Sequence, residues 1–463
     1  MSAWKQGQQI EVPITDLAEG GNGVGRYGDR VVFVPDTVPG DRASVRLVRV
    51  KSKYAEGKLL ELREASSSRI RPACIVADKC GGCQWQQIEY DRQRSAKRQL
   101  VVNALERVGG FSDPPVGEVL PSPSPLGYRN KVTYPLRLSQ TGQVRAGYYQ
   151  KGSHRLINLN RCPVQDERLN PLLANIKQDI QNQGWSVYDE RQHRGTVRHL
   201  SFRIGRRTGE MLLTLIVADE NLPGLAEQAQ MWMTRYPQLA GVCINVNRDR
   251  TNAIFGPETR CIAGKPYLKE LFGGLQFRLG PDTFFQVNTE AAETLLSAIS
   301  EELDLQGDET LVDAYCGIGT FTLPLAKQLR SQTGENDIRA IGLEFQQTAV
   351  EQARFNADLN DINHVSFRAG TVQKLLPKLE LKPDVVLLDP PRKGCDRATV
   401  ETLLSIRPRR IVYISCRPVT FSRDLKLLCE GGIYRLTRVQ PADFFPQTSH
   451  VECAAFLSLC EDQ

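Results

Sequence analysis

Cys416 is the residue whose position in the sequence best suits covalent chemistry. It follows the apolar, β-branched run RRIVYIS and precedes Arg417, Pro418 and a helical segment. In an open α/β sheet that position is the carboxyl edge, where ligands bind. A neighbouring cation and a helix N-terminus both favour the thiolate, the nucleophilic form of cysteine. The sequence therefore predicts a nucleophile at Cys416, and inert buried thiols at most other single cysteines, such as Cys243 and Cys460.

Two residues near the C-terminus are candidates for a base beside this nucleophile. Glu452 and His450 lie in DFFPQTSHVECAAFL, which is expected to fold back beside the Cys416 strand, and period-two alternation puts them on one face. A carboxylate in a largely apolar pocket has a raised pKa, which suits proton abstraction near neutral pH. We therefore expect Glu452 to be the general base, with His450 as the competing candidate.

Two further stretches indicate a nucleoside-containing cofactor. In LVDAYCGIGTFTLPLA an apolar strand ends at Asp313 and is followed by the turn Gly317-x-Gly319 and a helix, and in IRAIGLE the next strand ends at Glu344. A glycine turn lets a ligand approach the backbone, and the acid can accept hydrogen bonds from both ribose hydroxyls. The third glycine of the dinucleotide pattern is absent, so the sequence favours S-adenosylmethionine over NAD.

The stretch DVVLLDPPRKG sets Asp389, Pro390 and Pro391 at the end of another strand. The two prolines keep the following backbone out of a helix and direct it across the cleft. Enzymes that methylate exocyclic amines carry an aromatic residue at the next position, where it stacks on the base, whereas this chain has Arg392. This departure counts against N-methylation of adenine or cytosine.

Methylation at carbon 5 of uracil accounts for a nucleophilic cysteine together with a base. That carbon is too weak a nucleophile to attack a sulfonium methyl group until a thiolate has added to carbon 6 and raised the electron density of the ring. A base must then remove the carbon 5 proton before the thiolate can leave. Cys416 and Glu452 suit these two steps.

Four of the twelve cysteines form a separate pattern. Cys74, Cys80 and Cys83 are spaced C-x5-C-x2-C, and Cys162 follows at a distance. In a reducing compartment such a set indicates metal ligation or catalysis before it indicates disulfides. Four thiolates suit either zinc or an iron–sulfur cluster, and the spacing alone does not choose between them.

The elements that would position these residues fall into three segments. Residues 1–62 alternate apolar and polar residues between turns, which predicts a small β-barrel. Residues 63–265 hold the cysteine cluster, a helical run and several strands, which predicts a central α+β domain with an RNA-binding sheet. Residues 266–463 alternate strands and helices, which predicts an α/β catalytic domain with a doubly wound sheet.

Charge and hydropathy limit the classes of partner that the chain can have. The net charge of +6 over 463 residues favours a polyanionic partner only weakly. The stretch 191–207, with six arginines and no acid, is more specific and predicts a phosphate-contacting sheet edge, with a solvated basic strand as the alternative. No stretch has the apolar length of a membrane span and the N-terminus lacks the core of a signal peptide, so we expect a cytoplasmic monomer without a membrane partner.

Four motifs, DAYCGIGTFTLPLA, LLDPPRKG, YISCRPVTFSRDL and DFFPQTSHVE, together closely resemble the RNA 5-methyluridine methyltransferase family. The resemblance covers essentially the whole chain, because residues 8–62 look like the TRAM domain that precedes many members. It implies a class I methyltransferase fold, with Cys416 as nucleophile and Glu452 as general base. It also implies the residues that bind S-adenosylmethionine: Gln286, Tyr315, Glu344 and Asp389.

The cysteine pattern resembles that of the ribosomal RNA members of this family, which carry a four-iron, four-sulfur (4Fe-4S) cluster. Bacterial members that methylate the tRNA T-loop generally lack both the cluster and the TRAM domain. The resemblance therefore implies a uridine of 23S rRNA as substrate, with the cluster held by Cys74, Cys80, Cys83 and Cys162. The same chemistry on a tRNA uridine is the alternative, and an RNA-binding factor with a vestigial methyltransferase fold is a third hypothesis.

Overall fold

The computed structural model describes residues 4–329 and 338–460. Near the N-terminus the alternating sequence forms a closed five-stranded barrel of β1 (Gln9–Leu17), β2 (Gly23–Tyr27), β3 (Arg30–Val34), β4 (Arg42–Val50) and β5 (Tyr54–Glu64). The inward-facing apolar side chains, including Ile10, Val12 and Val45, fill this barrel. The strand order around it is β1-β2-β3-β5-β4. The alternation predicted β1, β3 and β4, whereas β2 and β5 were not predicted.

A helix and a mixed sheet follow the barrel. Helix α1 (Tyr90–Ala104) continues as a π-helical turn, and the sheet has the order β12-β11-β10-β9-β6-β7-β8. Its apolar face packs against two helices through residues such as Leu173 and Trp232. The elements are β6 (Lys131–Leu138), β7 (Val144–Tyr149), β8 (Leu156–Asn158), α2 (Asn170–Asn182), β9 (Val197–Ile204), β10 (Met211–Val217), α3 (Leu225–Arg235), β11 (Leu239–Val246) and β12 (Glu258–Gly264).

The C-terminal part begins with a hairpin, β13 (Leu268–Phe272) and β14 (Leu275–Leu279), and continues as an α/β sheet. The sheet contains β15 (Leu311–Ala314), β16 (Ala340–Glu344), β17 (Val365–Ala369), β18 (Val385–Leu388), β19 (Arg410–Ser415), β20 (Tyr434–Ala442) and β21 (Glu452–Leu459). The helices are α4 (Thr289–Leu303), α5 (Thr322–Ala326), α6 (Gln347–Leu359), α7 (Val372–Leu375), α8 (Arg397–Ile406) and α9 (Pro418–Cys429).

The strand order in this sheet is β17-β16-β15-β18-β19-β21-β20. The first five strands are parallel, and β21 is antiparallel to both β19 and β20. Crossovers from β15 run outward in both directions, so the sheet is doubly wound and its parallel strands end at one edge. The sequence did not predict β20, whose neighbours in the chain are two turn-rich stretches.

Helix α1 precedes the central sheet in the chain but packs against the C-terminal sheet. Val101 of α1 shares a buried cluster with Phe421 and Leu425 of α9 and with Val439 of β20. The helical run near residue 90 was predicted, but its contact with elements more than 300 residues further along the chain was not.

The prediction that the basic stretch 191–207 forms a sheet edge is wrong. Strand β9 lies in the interior of its sheet, between β6 and β10. Arg198 and Arg203 are buried, Arg206 pairs with Asp166 and Glu290, and Arg207 pairs with Glu293. Most of these arginines therefore serve internal contacts, because the interior position of the strand turns their side chains toward other parts of the chain.

The predicted fold class is confirmed: an N-terminal β-barrel, a central α+β part and a doubly wound α/β sheet. The domain boundaries at residues 62 and 265 remain predictions. Within residues 4–329 and 338–460, each helix is too short or too polar to cross a bilayer.

Candidate active site

Cys416 and Glu452 come from adjacent strands. In the antiparallel pair β19–β21, Ser415 lies opposite Cys453. Continuing this register by one residue sets Cys416 opposite Glu452, on the other face of the sheet from the preceding pair. Directly opposed side chains in such a pair have Cβ atoms about 5 Å apart. The predicted fold-back of the C-terminal stretch therefore brings the candidate nucleophile and the candidate base together.

The environment of the Cys416 thiol differs from the prediction. Burial and the nearby Glu452 carboxyl raise its pKa above the ordinary value, although a hydrogen bond and the charge of Arg392 lower it. The cation that acts on the thiol is thus Arg392, from the loop after β18, and the net effect favours the thiol in the ligand-free chain. The prediction that the thiolate of Cys416 is favoured is wrong, because burial and Glu452 outweigh the lowering by Arg392.

The Glu452 carboxyl is buried at the start of β21, with 6% of the residue exposed. Burial raises its pKa well above the ordinary value, the charge of Asp389 raises it further, and Arg392 lowers it. The predicted raised pKa thus has the expected main cause. His450, the competing base, has solvent-accessible surface, but its ring is partly enclosed, and this partial burial and the charge of Arg392 lower its pKa.

Three acids lie at the carboxyl ends of neighbouring parallel strands. Asp313 is the penultimate residue of β15, Glu344 ends β16 and Asp389 follows β18. Burial raises the pKa of Asp313 and of Asp389 to about 7, and in Asp313 the other two acids contribute. Glu344 accepts hydrogen bonds from the backbone N–H groups of Gly317 (3.2 Å) and Gln346 (2.8 Å). This edge therefore concentrates negative charge around the glycine turn.

Tyr315 begins that turn in a left-handed conformation. Its φ is 86°, which is unusual for a residue with a side chain. Its backbone N–H donates to the carbonyl of Leu343 in β16 at 2.9 Å, which ties the turn to the strand that carries Glu344. Its phenol is partly buried, and burial raises its pKa.

Gln286 lies in the segment between β14 and α4 and is 8% exposed. Its carbonyl accepts a hydrogen bond from the Asn130 side chain at 2.9 Å. Asn288, two residues later, donates to the carbonyl of Phe444 at 3.1 Å, so this segment is attached to the stretch that leads into Glu452. The edge of the sheet, the segment at 286 and the stretch before β21 thus meet around one site.

Cys74, Cys80, Cys83 and Cys162 line one cavity of about 80 Å³. Burial, together with a smaller effect of the other three cysteines, raises the pKa of Cys83 to about 12. Within the described ranges 4–329 and 338–460, however, no three His, Cys, Asp or Glu side chains are already arranged to hold a metal ion. The four thiols therefore have the composition of a cluster site and share a cavity, but not a finished coordination geometry.

Arg392 is the functional candidate that the sequence prediction missed. The sequence drew attention to it only as the residue present where an aromatic was expected. Its guanidinium acts on the Cys416 thiol, the Glu452 carboxyl and the His450 ring. The sequence feature that could have identified Arg392 is its position as a cation after two prolines at a strand end, where the backbone crosses the cleft.

Comparison with known proteins identifies the family. The model of the tRNA (uracil-5-)-methyltransferase family matches residues 272–459, and that of the TRAM domain matches residues 3–60. A protein named "uncharacterized RNA methyltransferase" from Nostoc sp. is 64% identical over 99% of this chain and 98% of its own. The chain belongs to the tRNA (uracil-5-)-methyltransferase family. A relative of the same description from Synechocystis sp. is 56% identical over 98% of the chain and 96% of its own.

Family membership also agrees with a solved structure. The tRNA (uracil-54, C5)-methyltransferase of Pyrococcus abyssi, in complex with S-adenosyl-L-homocysteine, matches with a TM-score of 0.76 and 28% identity. The match covers 97% of this chain and 100% of the other. The resemblance found in the motifs is therefore confirmed, and the chain is an S-adenosylmethionine-dependent RNA methyltransferase with a TRAM domain.

Proposed function

We propose that this enzyme methylates carbon 5 of a specific uridine in 23S rRNA through a covalent bond between Cys416 and the base, acting as a cytoplasmic monomer. The observation that supports the proposal is the β19–β21 register, whose continuation by one residue pairs Cys416 with Glu452. The Glu452 carboxyl is close enough to act on the Cys416 thiol. A nucleophile and a base on adjacent strands, beside a donor-type glycine turn, suit this reaction and have no use in a simple transfer to an exocyclic amine.

Cys416 and Glu452 are proposed to carry out different steps of the reaction. When bound, S-adenosylmethionine supplies an electrophilic methyl group. The Cys416 thiolate would form a bond to carbon 6, which makes carbon 5 nucleophilic. Carbon 5 would then take the methyl group as its bond to the sulfonium sulfur breaks, leaving the donor as the thioether S-adenosyl-L-homocysteine. Glu452 then accepts the proton from carbon 5, and the electron pair of that C–H bond restores the double bond as the bond between sulfur and carbon 6 breaks.

Arg392 is proposed to hold this pair ready for reaction. The pKa values of Cys416 and Glu452 are both raised, and Arg392 is the cation that lowers each of them. Its positive charge favours the thiolate before addition and the carboxylate before proton removal. A target base must leave its stack to reach this site, as in other enzymes that act on a base.

Gln286, Tyr315, Glu344 and Asp389 are the proposed contacts of the methyl donor. Glu344 already accepts two backbone N–H groups and has further lone pairs for the ribose hydroxyls. The protonated fraction of Asp389, with a pKa of about 7, can donate a hydrogen bond as well as accept one. Tyr315 borders the glycine turn where a ligand can approach the backbone.

We further propose that the four cysteines hold a 4Fe-4S cluster, with zinc as the alternative occupant. The support is the donor set: four cysteines line one cavity. The pKa values of Cys80, Cys83 and Cys162 are raised by burial, which makes these thiols poor anions unless a cation binds. The residues that would hold it are Cys74, Cys80, Cys83 and Cys162. The methylation chemistry needs no redox step, so the cluster would be structural.

A tRNA uridine is the second candidate substrate. The observation that favours it is the similarity over almost the whole chain to an enzyme described as a tRNA (uracil-54, C5)-methyltransferase. The cysteine pattern and the TRAM domain favour ribosomal RNA by resemblance. The chemistry at Cys416 is the same for both.

The substrate test is nucleoside mass spectrometry with site mapping of 23S rRNA and tRNA from a strain that lacks this protein. We expect one ribosomal uridine to lose its 5-methyl group, and the purified enzyme to restore it. Loss from a tRNA uridine with unchanged ribosomal RNA would replace the first candidate by the second. If neither RNA loses 5-methyluridine, the proposed function is wrong.

A further inference from the structure

Two cations lie directly opposite each other in the central sheet. In the antiparallel pair β6–β9, Lys131 lies opposite Arg203. The residues that alternate with them, Val132 and Phe202, point into the apolar core between the sheet and its helices. Lys131 and Arg203 therefore share the opposite face, where like charges in direct opposition destabilise a sheet.

Within residues 4–329 and 338–460 neither Lys131 nor Arg203 forms a salt bridge, although Asp282 lies near enough to act on both and Glu270 on Arg203. Arg203 is 3% exposed, and its Nε and Nη1 atoms are buried without a hydrogen-bond partner, while Nη2 donates to the carbonyl of Thr283. Buried guanidinium N–H groups without acceptors lower the stability of the folded chain. The contacts within the protein therefore do not explain why Arg203 is buried here.

The titration behaviour of the pair agrees with uncompensated charge. Burial and the charge of Arg203 together lower the pKa of Lys131 to about 6, against a smaller effect of Asp282. Burial likewise lowers the pKa of Arg203 to about 10, against the opposing charges of Asp282 and Glu270. The Lys131 ammonium lies 4.8 Å from the centre of the Phe255 ring, which offers a weak attraction but no negative charge.

The pair lies next to the segment that carries Gln286. Arg203 donates to Thr283 in that segment, and Asn130, the neighbour of Lys131, donates from its backbone to Val287 (2.9 Å) and from its side chain to Gln286. On the other side, Arg129 donates to the Lys131 carbonyl at 3.2 Å and is close enough to His450 to lower its pKa. The two cations therefore border the proposed active site.

We propose that Lys131 and Arg203 form a binding site for a backbone phosphate of the RNA substrate, adjacent to the uridine that enters the active site. A phosphodiester supplies acceptor oxygens for the unpartnered N–H groups of Arg203 and adds negative charge to that of Asp282 and Glu270, neither of which pairs directly with the two cations. Lys131, which is only partly buried, meets the phosphate, and Arg203 behind it adds charge and N–H groups. The inference rests on the proposed function only in taking RNA as the substrate.

The test measures binding without catalysis. The full-length protein, without methyl donor, is titrated with a short oligouridylate at several salt concentrations, and the slope of log affinity against log salt is compared between variants. In Lys131→Met we expect the slope to become less steep by about 0.7, the effect of one lost phosphate contact with a single strand. Lys131→Arg, which keeps the charge, should retain the wild-type slope.

The control is Lys378→Met, which removes an exposed lysine from the catalytic part and should leave the slope unchanged. An unchanged slope in Lys131→Met would overturn the phosphate site. So would a loss of affinity for S-adenosylmethionine alone, since the anion would then be the donor's carboxylate. Because no methyl transfer is measured, either failure leaves the proposed reaction at Cys416 standing.

Discussion

At the scale of single residues, the site holds three groups whose charges depend on one another. The Glu452 carboxyl raises the pKa of the Cys416 thiol, and Asp389 raises the pKa of Glu452. Arg392 lowers the pKa of both Cys416 and Glu452. At a given pH, Cys416 and Glu452 are therefore more fully protonated than the isolated side chains would be. The reaction requires each of them to lose its proton.

The role of Arg392 predicts a shift in the pH dependence of methyl transfer. Because Cys416 and Glu452 must both lose a proton, the rate of the wild-type enzyme should rise with pH through the neutral range. Arg392 lowers both pKa values, so in Arg392→Gln both rise and the ascending limb moves to higher pH. Single-turnover methylation of prebound RNA over a range of pH measures this.

Arg397→Gln is the matched control, since Arg397 is exposed and pairs only with Glu401 one turn further along its helix. It should keep the wild-type pH profile. An Arg392→Gln enzyme that is slower by the same factor at every pH would show that Arg392 acts on binding geometry rather than on proton equilibria.

Part of this site could be predicted from the sequence. Period-two alternation and the fold-back of the last strand were sufficient to pair Cys416 with Glu452, because both are local patterns at strand ends. The direction of the Cys416 pKa was predicted wrongly, because the sequence does not show how deeply a thiol is buried or which carboxyl faces it. The contact of Arg392 with that thiol joins two loops of the sheet and has no local signal.

At the scale of elements, helix α1 fixes the stretch that leads into Glu452. Lys97 of α1 and Asp443 are both fully buried and lie 2.6 Å apart, and Lys97 also donates to the carbonyl of Phe445 at 3.0 Å. Gln93 exchanges hydrogen bonds with Gln447, donating to its side chain at 3.0 Å and accepting from its backbone at 2.9 Å. These contacts hold both ends of the turn before β21.

Breaking the buried pair should destabilise this part of the molecule. In Lys97→Met, Asp443 loses its buried counter-charge, and we expect the free energy of unfolding to fall by about 3–5 kcal/mol. The double variant Lys97→Met/Asp443→Leu should recover most of that loss, because no charge is then left alone. Chemical denaturation followed by fluorescence measures both.

The exposed pair of Arg397 and Glu401 is the control: Arg397→Met should cost only about 0.5 kcal/mol. If Lys97→Met costs no more than this control, the buried pair does not hold the turn. Sequence patterns could not predict this attachment, because the helix and the turn are about 350 residues apart and nothing in either pattern refers to the other.

The cysteine-bearing segment joins the same turn. The backbone N–H groups of Gln84 and Trp85, directly after Cys83, donate to the carbonyl of Gln447 at 3.1 and 3.0 Å. The indole of Trp85 donates to the carbonyl of Gly21 in the barrel at 3.0 Å. At the scale of the whole molecule, this segment therefore connects the barrel, the central sheet and the active-site turn.

A cluster at this junction would stabilise the arrangement of all three parts. Anaerobically purified protein should contain about four iron and four sulfide per chain, because the cavity is lined by four cysteines, the number of ligands that one 4Fe-4S cluster requires. Cys80→Ser should lose them and unfold at lower denaturant concentration, whereas Cys261→Ser, in the edge strand β12, should keep them. Zinc without sulfide would assign the site to zinc, and no metal at all would contradict both.

The fold class could be predicted from hydrophobic periodicity because each element carries its own pattern. The assembly could not, since the contacts of α1, of the cysteine segment and of the interior strand β9 depend on which faces meet in three dimensions. The six arginines of 191–207 illustrate this: their number was read correctly, but the neighbours of β9 decide that most of them are buried or paired.

The central claim is that Cys416 bonds to the base and that Glu452 releases it. The most direct measurement is denaturing gel electrophoresis of Glu452→Gln after incubation with substrate RNA and S-adenosylmethionine. We expect a denaturant-stable complex of protein and methylated RNA, because the thiolate cannot leave while the carbon 5 proton remains. The complex should be absent from Glu452→Gln/Cys416→Ala and present in Glu452→Gln/Cys429→Ala. A Cys416→Ala enzyme that forms 5-methyluridine at the wild-type rate would contradict the account.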